Sequence, residues 1–272
     1  MRAAILLPAV AAGLLLLSGC DIEDFSGARY NKDFHYGFPL NAGGKVTIET
    51  FNGGIEVSGW DQNNVDISGT KYGPTPEIAD QVEVTVDHSP ASVSVRVQRP
   101  SIHRGNIGAK FVVKVPRTAI VDYLSSSNGS IRVTDATGPA RLRTSNGGIR
   151  VAGLSGGLEA HTSNGGITAE LDKVDGEVRL ETSNGSIELR LPQSLREGVR
   201  AHTSNGGITV RLPEGVDARV SAHTSNAHVT SDFDVRMQGE IERHRMEGVI
   251  GKGGPLLDLS TSNGSIRLAR AL

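Results

Sequence analysis

From residue 124 onward, apolar and polar positions alternate in short runs. The runs restart at a fixed point, an asparagine that glycine usually follows. The copies are Asn128, Asn146, Asn164, Asn184, Asn205, Asn226 and Asn263, with a lone early relative at Asn52. Successive copies lie 18, 18, 20, 21, 21 and 37 residues apart. A period near twenty, held over five intervals, marks a stacked repeat. The long sixth interval reads as an excursion, at 232–255, within the same series.

Three residues after each asparagine stand Ile131, Ile149, Ile167, Ile187, Ile208, Val229 and Ile266; the next residue is polar every time. Four before it stand Leu124, Leu142, Ala160, Leu180, Ala201, Ala222 and Leu259. Alternation of period two is that of a half-buried strand, so each copy reads strand, corner, strand, corner. In "AHTSNGGIT", written at 160–168 and again at 201–209, Ala160, Thr162 and Ile167 share the inward parity while His161, Ser163 and Thr168 point out. Asn164 occupies the corner. Asparagine tolerates the left-handed conformation, and Gly165 is expected to supply a positive φ. Rungs stacked about 4.8 Å apart would let the asparagines ladder through their amides.

These patterns predict an all-β chain: a parallel β-solenoid of coils of 18–21 residues, with a less regular β part before it. Residues 41–124 alternate in longer runs such as "KVTIETF" and "SVSVRVQ", and Pro76–Val82 alone suggests a helical turn. The solenoid is expected over 125–272. The excursion is its most charged stretch and the expected place for anything specific.

Composition narrows the picture. Glycine is abundant, at 34 of 272 residues, and aromatics are only 4%, as a thin aliphatic core with many corners requires. A net charge of −2 gives no reason to expect a nucleic-acid partner. Residues 1–19 have a short basic start at Arg2 and an apolar run over 3–17, too short for a comfortable membrane span. The run ends in "LSGC", which resembles a bacterial lipobox, with cleavage before Cys20 and acylation of its thiol. Cys20 is the only cysteine. Residues 20–40 are read as a lipidated tether and first strand. They hold five aromatics, Phe25, Tyr30, Phe34, Tyr36 and Phe38, of which the later ones are expected to start the first strand or cap the first rung; the other reading is a cluster on the membrane surface. Asp21 resembles an inner-membrane retention signal, which favours the periplasmic face of that membrane.

The sequence "GGKVTIETFNGGIEVSGW", the "VP" strand end at Val115–Pro116, the serial "TSNGGI" and "GVIGKGGPLLDLSTSNGSIRL" together resemble the bacterial "putative adhesin" β-strand-repeat family, a domain of unknown function found in envelope proteins and lipoproteins. The likeness covers nearly all of the mature chain. It implies no catalytic residues.

The residues themselves offer little chemistry. Glycoside hydrolysis needs paired carboxylates about 5–9.5 Å apart. Glu170 and Glu188 fall on neighbouring rungs, but Arg190 is placed beside Glu170, and Arg141 and Arg179 bracket Glu159. Such alternation reads as surface ion pairing. There is no nucleophile elbow, phosphate loop or calcium repeat. His161, His202 and His223 share an outward column with Glu181, and sequence order puts His202 and His223 on adjacent rungs. A flat column makes tetrahedral closure awkward, so no metal and no cofactor are expected. The threonines Thr144, Thr162, Thr182, Thr203 and Thr224 fall on the inward parity, which rejects an ice-binding face. The expected function is a non-catalytic envelope lipoprotein, adhesin-like or a scaffold, with a protein or glycan partner. The alternatives are a carbohydrate-active β-helix enzyme and an envelope-stress regulatory lipoprotein.

Overall fold

The computed structural model describes residues 30–101, 105–237 and 242–271. The signal-peptide reading, Cys20 and Asp21 lie outside them. The first part of the chain forms β1 (Tyr30–Pro39), β2 (Lys45–Asn52), β3 (Ile55–Trp60), β4 (Asn64–Gly73), the one-turn helix α1 (Pro76–Asp80), β5 (Glu83–Ser89), β6 (Ser92–Gln98) and β7 (Gly108–Pro116). The repeats follow as β8 (Ile120–Asn128), β9 (Ile131–Thr134), β10 (Ala140–Thr144), β11 (Ile149–Ser155), β12 (Leu158–Thr162), β13 (Ile167–Lys173), β14 (Val178–Thr182), β15 (Ile187–Arg190), β16 (Val199–Thr203) and β17 (Ile208–Leu212). The chain ends with β18 (Ala218–Thr224), β19 (Val229–Ser231), β20 (Val235–Met237), β21 (Arg245–Ile250), β22 (Leu256–Thr261) and β23 (Ile266–Arg270).

The fold is all-β, with two large and mostly parallel sheets and no closed barrel. One sheet runs β1-β4-β7-β3-β9-β11-β13-β15-β17-β23-β19, and the other runs β20-β21-β18-β22-β16-β14-β12-β10-β8-β2-β6-β5. Each repeat gives the strand before its asparagine to the second sheet and the strand after it to the first. The register keeps the motif columns intact: Ile55, Ile131, Ile149, Ile167, Ile187, Ile208, Ile266 and Val229 form one row across the first sheet. The alternation therefore aims one aliphatic face of each sheet at the other. Leu142, Ala160, Ile167, Leu180 and Ile187 are among the buried residues.

Ile167 is essentially inaccessible and Thr168 half-exposed. Ile167→Ala is expected to cost about 2–5 kcal/mol through lost burial and a residual cavity. Thr168→Ala should cost less than about 0.5 kcal/mol. Equal losses in denaturant titrations would mean that the two faces have been exchanged.

The order of rungs differs from the order of the chain at both ends. The β22–β23 rung does not follow β18–β19 outward; it lies between β16–β17 and β18–β19. Likewise β2–β3 lies between β6–β7 and β8–β9. The ends then turn antiparallel, through β1, β4 and β5 at one and β20 and β21 at the other. Short edge strands such as β19 and β20, three residues each, offer little template for further pairing.

Aromatic side chains fill the first end. Phe34 meets Phe111 edge-on at 5.7 Å, and Phe38 stacks on His88 at 4.0 Å. Phe34, Tyr36 and Phe38 pack against the core. Gly69 has no Cβ where the Phe34 ring lies across it.

The corner is built differently from the sequence expectation. Neither the motif asparagines nor Gly129, Gly147, Gly165, Gly185, Gly206 and Gly264 adopt positive φ; Asp135 is the one non-glycine described residue that does. These glycines are needed because the rungs approach closely: a Cβ on Gly165 would overlap the Gly147 carbonyl, and the other five meet the neighbouring rung in the same way. The asparagine ladder is present. Asn146, Asn164, Asn184 and Asn205 each donate Nδ2 to the Oδ1 of the preceding copy at 2.7–2.8 Å. Asn263 then donates to Asn205, and Asn226 to Asn263. Beneath it runs a second ladder that the alternation pattern does not reveal. The buried hydroxyls of Thr144, Thr162, Thr182 and Thr203 donate to the carbonyls of Gly129, Gly147, Gly165 and Gly185 at 2.8 Å. Each buried threonine hydroxyl thus finds its acceptor on the adjacent rung.

Candidate functional site

Two outward features could meet a partner: the charged face of the second sheet and a groove at its edge. On the face, the β-register lines up Arg143, His161, Glu181, His202, Ser260, His223 and Arg245 in one column. This corrects the expected adjacency of His202 and His223, because the inserted β22 puts Ser260 between them. His202 Nδ1 lies 2.9 Å from the Ser260 hydroxyl instead. Among the described residues, no group of three or more His, Cys, Asp or Glu side chains comes together as a metal would need.

Glu181 is the best-tied carboxylate of the column. Arg179 approaches it at 2.7 Å and His161 at 3.6 Å. Burial alone would push its pKa up; the Arg179 hydrogen bond and the charges of Arg179 and His161 outweigh that and hold it below the ordinary carboxylate value. A depressed folded-state pKa gives stability above the unfolded value, lost as pH falls through the folded one. Glu181→Gln should therefore lower stability at pH 7 by under about 1 kcal/mol. At a pH below both carboxylate values the variant and parent should converge. Denaturant midpoints at the two pH values check this, and a difference that persists in acid would contradict it.

The pairs expected for Arg141 and Arg190 fall where the columns put them, and Arg211 adds one that reaches diagonally to Glu188. Arg141 meets Glu159 at 3.1 Å, Arg190 meets Glu170 at 3.6 Å and Arg211 meets Glu188 at 3.0 Å. Arg179, although beside Glu159 in register, turns to Glu181. Residues of the 232–255 excursion build β20 and β21 and cover the outer edge of β18.

The groove, of about 630 Å³, crosses the corners that lead from the first sheet into the second at β8, β10, β12 and β14. Its origin is repeat length. Nine residue steps separate Ile131 from Ala140 and Ile149 from Leu158, against eleven from Ile167 to Val178 and twelve from Ile187 to Val199. By strand bounds the shortest of these links is Gly156–Gly157, the two residues between β11 and β12, and it forms a floor beside the eleven-step corner that follows. Here glycine is required: Gly156 has φ of 153°, and a Cβ would lie 2.8 Å from the Gly138 carbonyl oxygen. Asp122, Glu159, Asp175 and Glu177 line the groove together with Arg141 and Arg179, and no aromatic ring does.

The family model Toastrack DUF4097 matches residues 44–212. No curated protein matches the chain. Among solved structures, a "putative adhesin" from Bacteroides fragilis NCTC 9343 is 14% identical with a TM-score of 0.46, covering 87% of this chain and 97% of that one. A "putative cell adhesion protein" from Clostridium sporogenes ATCC 15579 is 12% identical with a TM-score of 0.42, covering 88% of this chain and 100% of that one. A "putative lipid binding protein" from Parabacteroides distasonis ATCC 8503 is 12% identical with a TM-score of 0.42, covering 89% and 97%.

Proposed function

The chain belongs to the Toastrack DUF4097 family, and from that premise we propose that it is a non-catalytic lipoprotein of the cell envelope, an adhesin-like binding module built as a β-solenoid. The observation that carries this reading is the pairing of carboxylates with arginines from rung to rung. Glu159, Glu170, Glu181 and Glu188 each have an arginine within 4 Å. Each of these carboxylates is taken up by a cation, and Glu181 is held below the ordinary carboxylate value, whereas a general acid needs a raised pKa. The outer faces are suited to rigid contact: side chains sit on strands whose corners are tied by an exposed asparagine ladder and a buried threonine ladder, so little ordering remains to oppose binding. The "LSGC" junction would place the solenoid on a membrane through acylated Cys20, with a protein or glycan as partner. Asp21 points to the periplasmic face of the inner membrane. Two acyl chains or more hold stably where one is marginal.

The test is Cys20→Ser followed by cell fractionation. The variant is expected to leave the membrane fraction. Retention at the parent level would sink the anchored-envelope reading.

A further inference from the structure

We propose that the groove floored by Gly156–Gly157 is a binding site for a short, uncharged, hydroxyl-rich glycan. This rests on the binding-module reading and gives it a ligand class and a place. Its volume, about 630 Å³, falls within the range of ligand sites. It spans four rungs, from β8 to β14, or about 14 Å of stacking at the usual strand spacing. That is the length of an oligosaccharide segment laid across the strands.

The lining selects the chemistry. Four carboxylates, from Asp122, Glu159, Asp175 and Glu177, share the groove with the guanidiniums of Arg141 and Arg179 and the hydroxyls of Thr137 and Ser155. Donors and acceptors are interspersed, and a sugar hydroxyl can serve either. A polyanion would meet an excess of negative charge. A strongly basic peptide would meet the two arginines, while three of the carboxylates are already engaged: Glu159 with Arg141 at 3.1 Å, Asp175 with Arg196 at 3.4 Å and Asp122 with Lys45 at 4.0 Å. The bare peptide floor matters as well. Close packing of the rungs keeps Gly156, Gly157 and Gly176 without side chains, since a Cβ on each would meet the backbone of the adjacent rung, and the groove is therefore lined there by backbone alone. The groove has no aromatic platform, so its affinity for a single segment is weak. A repeating polymer presented to many copies on a surface would gain by multivalency.

The experiment follows amide chemical shifts of the purified chain during titration with maltohexaose, cellohexaose and chitohexaose. Polygalacturonate and oligolysine serve as charged controls. At least one neutral oligosaccharide is expected to give saturable shifts centred on Gly156, Gly157 and Gly176. Ser155→Trp, which fills the groove, should weaken that binding at least tenfold while leaving the melting temperature unchanged. Glu177→Lys is the second variant should the first fold poorly, and it should weaken binding in the same direction. The inference is overturned if no neutral sugar shifts these amides at millimolar concentration, if shifts persist in the variants, or if either charged control binds the groove better than the sugars. Because the titration uses purified protein, its result is independent of the membrane anchor, and Cys20→Ser fractionation reports on that alone.

Discussion

Replacing Gly165 by alanine is expected to cost at least about 3 kcal/mol, among the largest losses available to a single methyl group in this fold. The added Cβ would overlap the carbonyl oxygen of Gly147 on the adjacent rung, and it would also lie 2.8 Å from the Gly148 nitrogen. Both are backbone atoms, so no side chain can rotate away. The Gly147 carbonyl already accepts the Thr162 hydroxyl at 2.8 Å, and Asn164 is held to Asn146 and Asn184. Relief therefore requires separating two rungs and stretching both ladders. The next residue provides the control. A Cβ on Gly166 would lie 3.2 Å from the Ser186 carbonyl oxygen, a contact that a small shift can relieve. Gly166→Ala should cost under about 1.5 kcal/mol. Gly165→Asn separates the two explanations of the corner. A residue chosen for left-handed φ would tolerate asparagine better than alanine, whereas close approach penalises any Cβ. Denaturant midpoints of the three variants decide between them, and equal losses at 165 and 166 would refute the close-approach account.

The same corner shows how much the sequence could convey. Alternation fixes which side chains face in, since parity within a strand is a local property. Aligning copies on asparagine then aligns the rungs, and for this reason Ile149, Ile167 and Ile187 are Cα partners in register. Within its own repeat, the glycine at the corner reads as a matter of its own φ. Its true constraint is a carbonyl about twenty residues earlier, and no local window contains both. Parity places the threonine column inside, but its acceptors, the corner glycine carbonyls of the preceding rung, emerge only from stacking. The groove was written in the spacings 18, 18, 20 and 21. It becomes a groove only once the short corners are set side by side with the long ones.

The order of the last rungs had a signal in the sequence. The Asn226 copy departs from the motif at four places: Ala227 stands where glycine is usual, His228 where glycine or serine is, Val229 where isoleucine is, and Ser231 where an aliphatic is. Each departure suits a rung with no further rung beyond it. Val229 and Ser231 are only half-buried, whereas Ile266 and Leu268 of the inserted rung are inaccessible. An alanine at the corner is easier to bear on an end rung, which can move outward, than on one held from both sides.

This order predicts that removing residues 255–272 takes out an interior rung. Leu257, Leu259, Ile266 and Leu268 are each at most 1% exposed. At about 1.5–3 kcal/mol apiece their burial contributes roughly 6–12 kcal/mol before chain entropy is set against it. That is comparable to the whole stability of an ordinary domain. The truncated chain is expected to lose hydrogen-exchange protection in β18, at Val220 and Ala222, while β10 to β15 keep theirs. In a stack that followed chain order, the same deletion would remove only the outermost rung, and β18 would stay protected against β16. The shared motif offers β18–β19 a way to dock directly on β16–β17, but Ala227 would then bring its Cβ toward the Gly206 carbonyl, and Ser231 would be placed beside Val210. Adding Ala227→Gly and Ser231→Val to the truncated chain should remove both obstacles and restore part of the β18 protection. Full protection in the simple truncation would sink the inserted-rung order; no gain from the two added substitutions would sink the explanation that these residues mark an end rung.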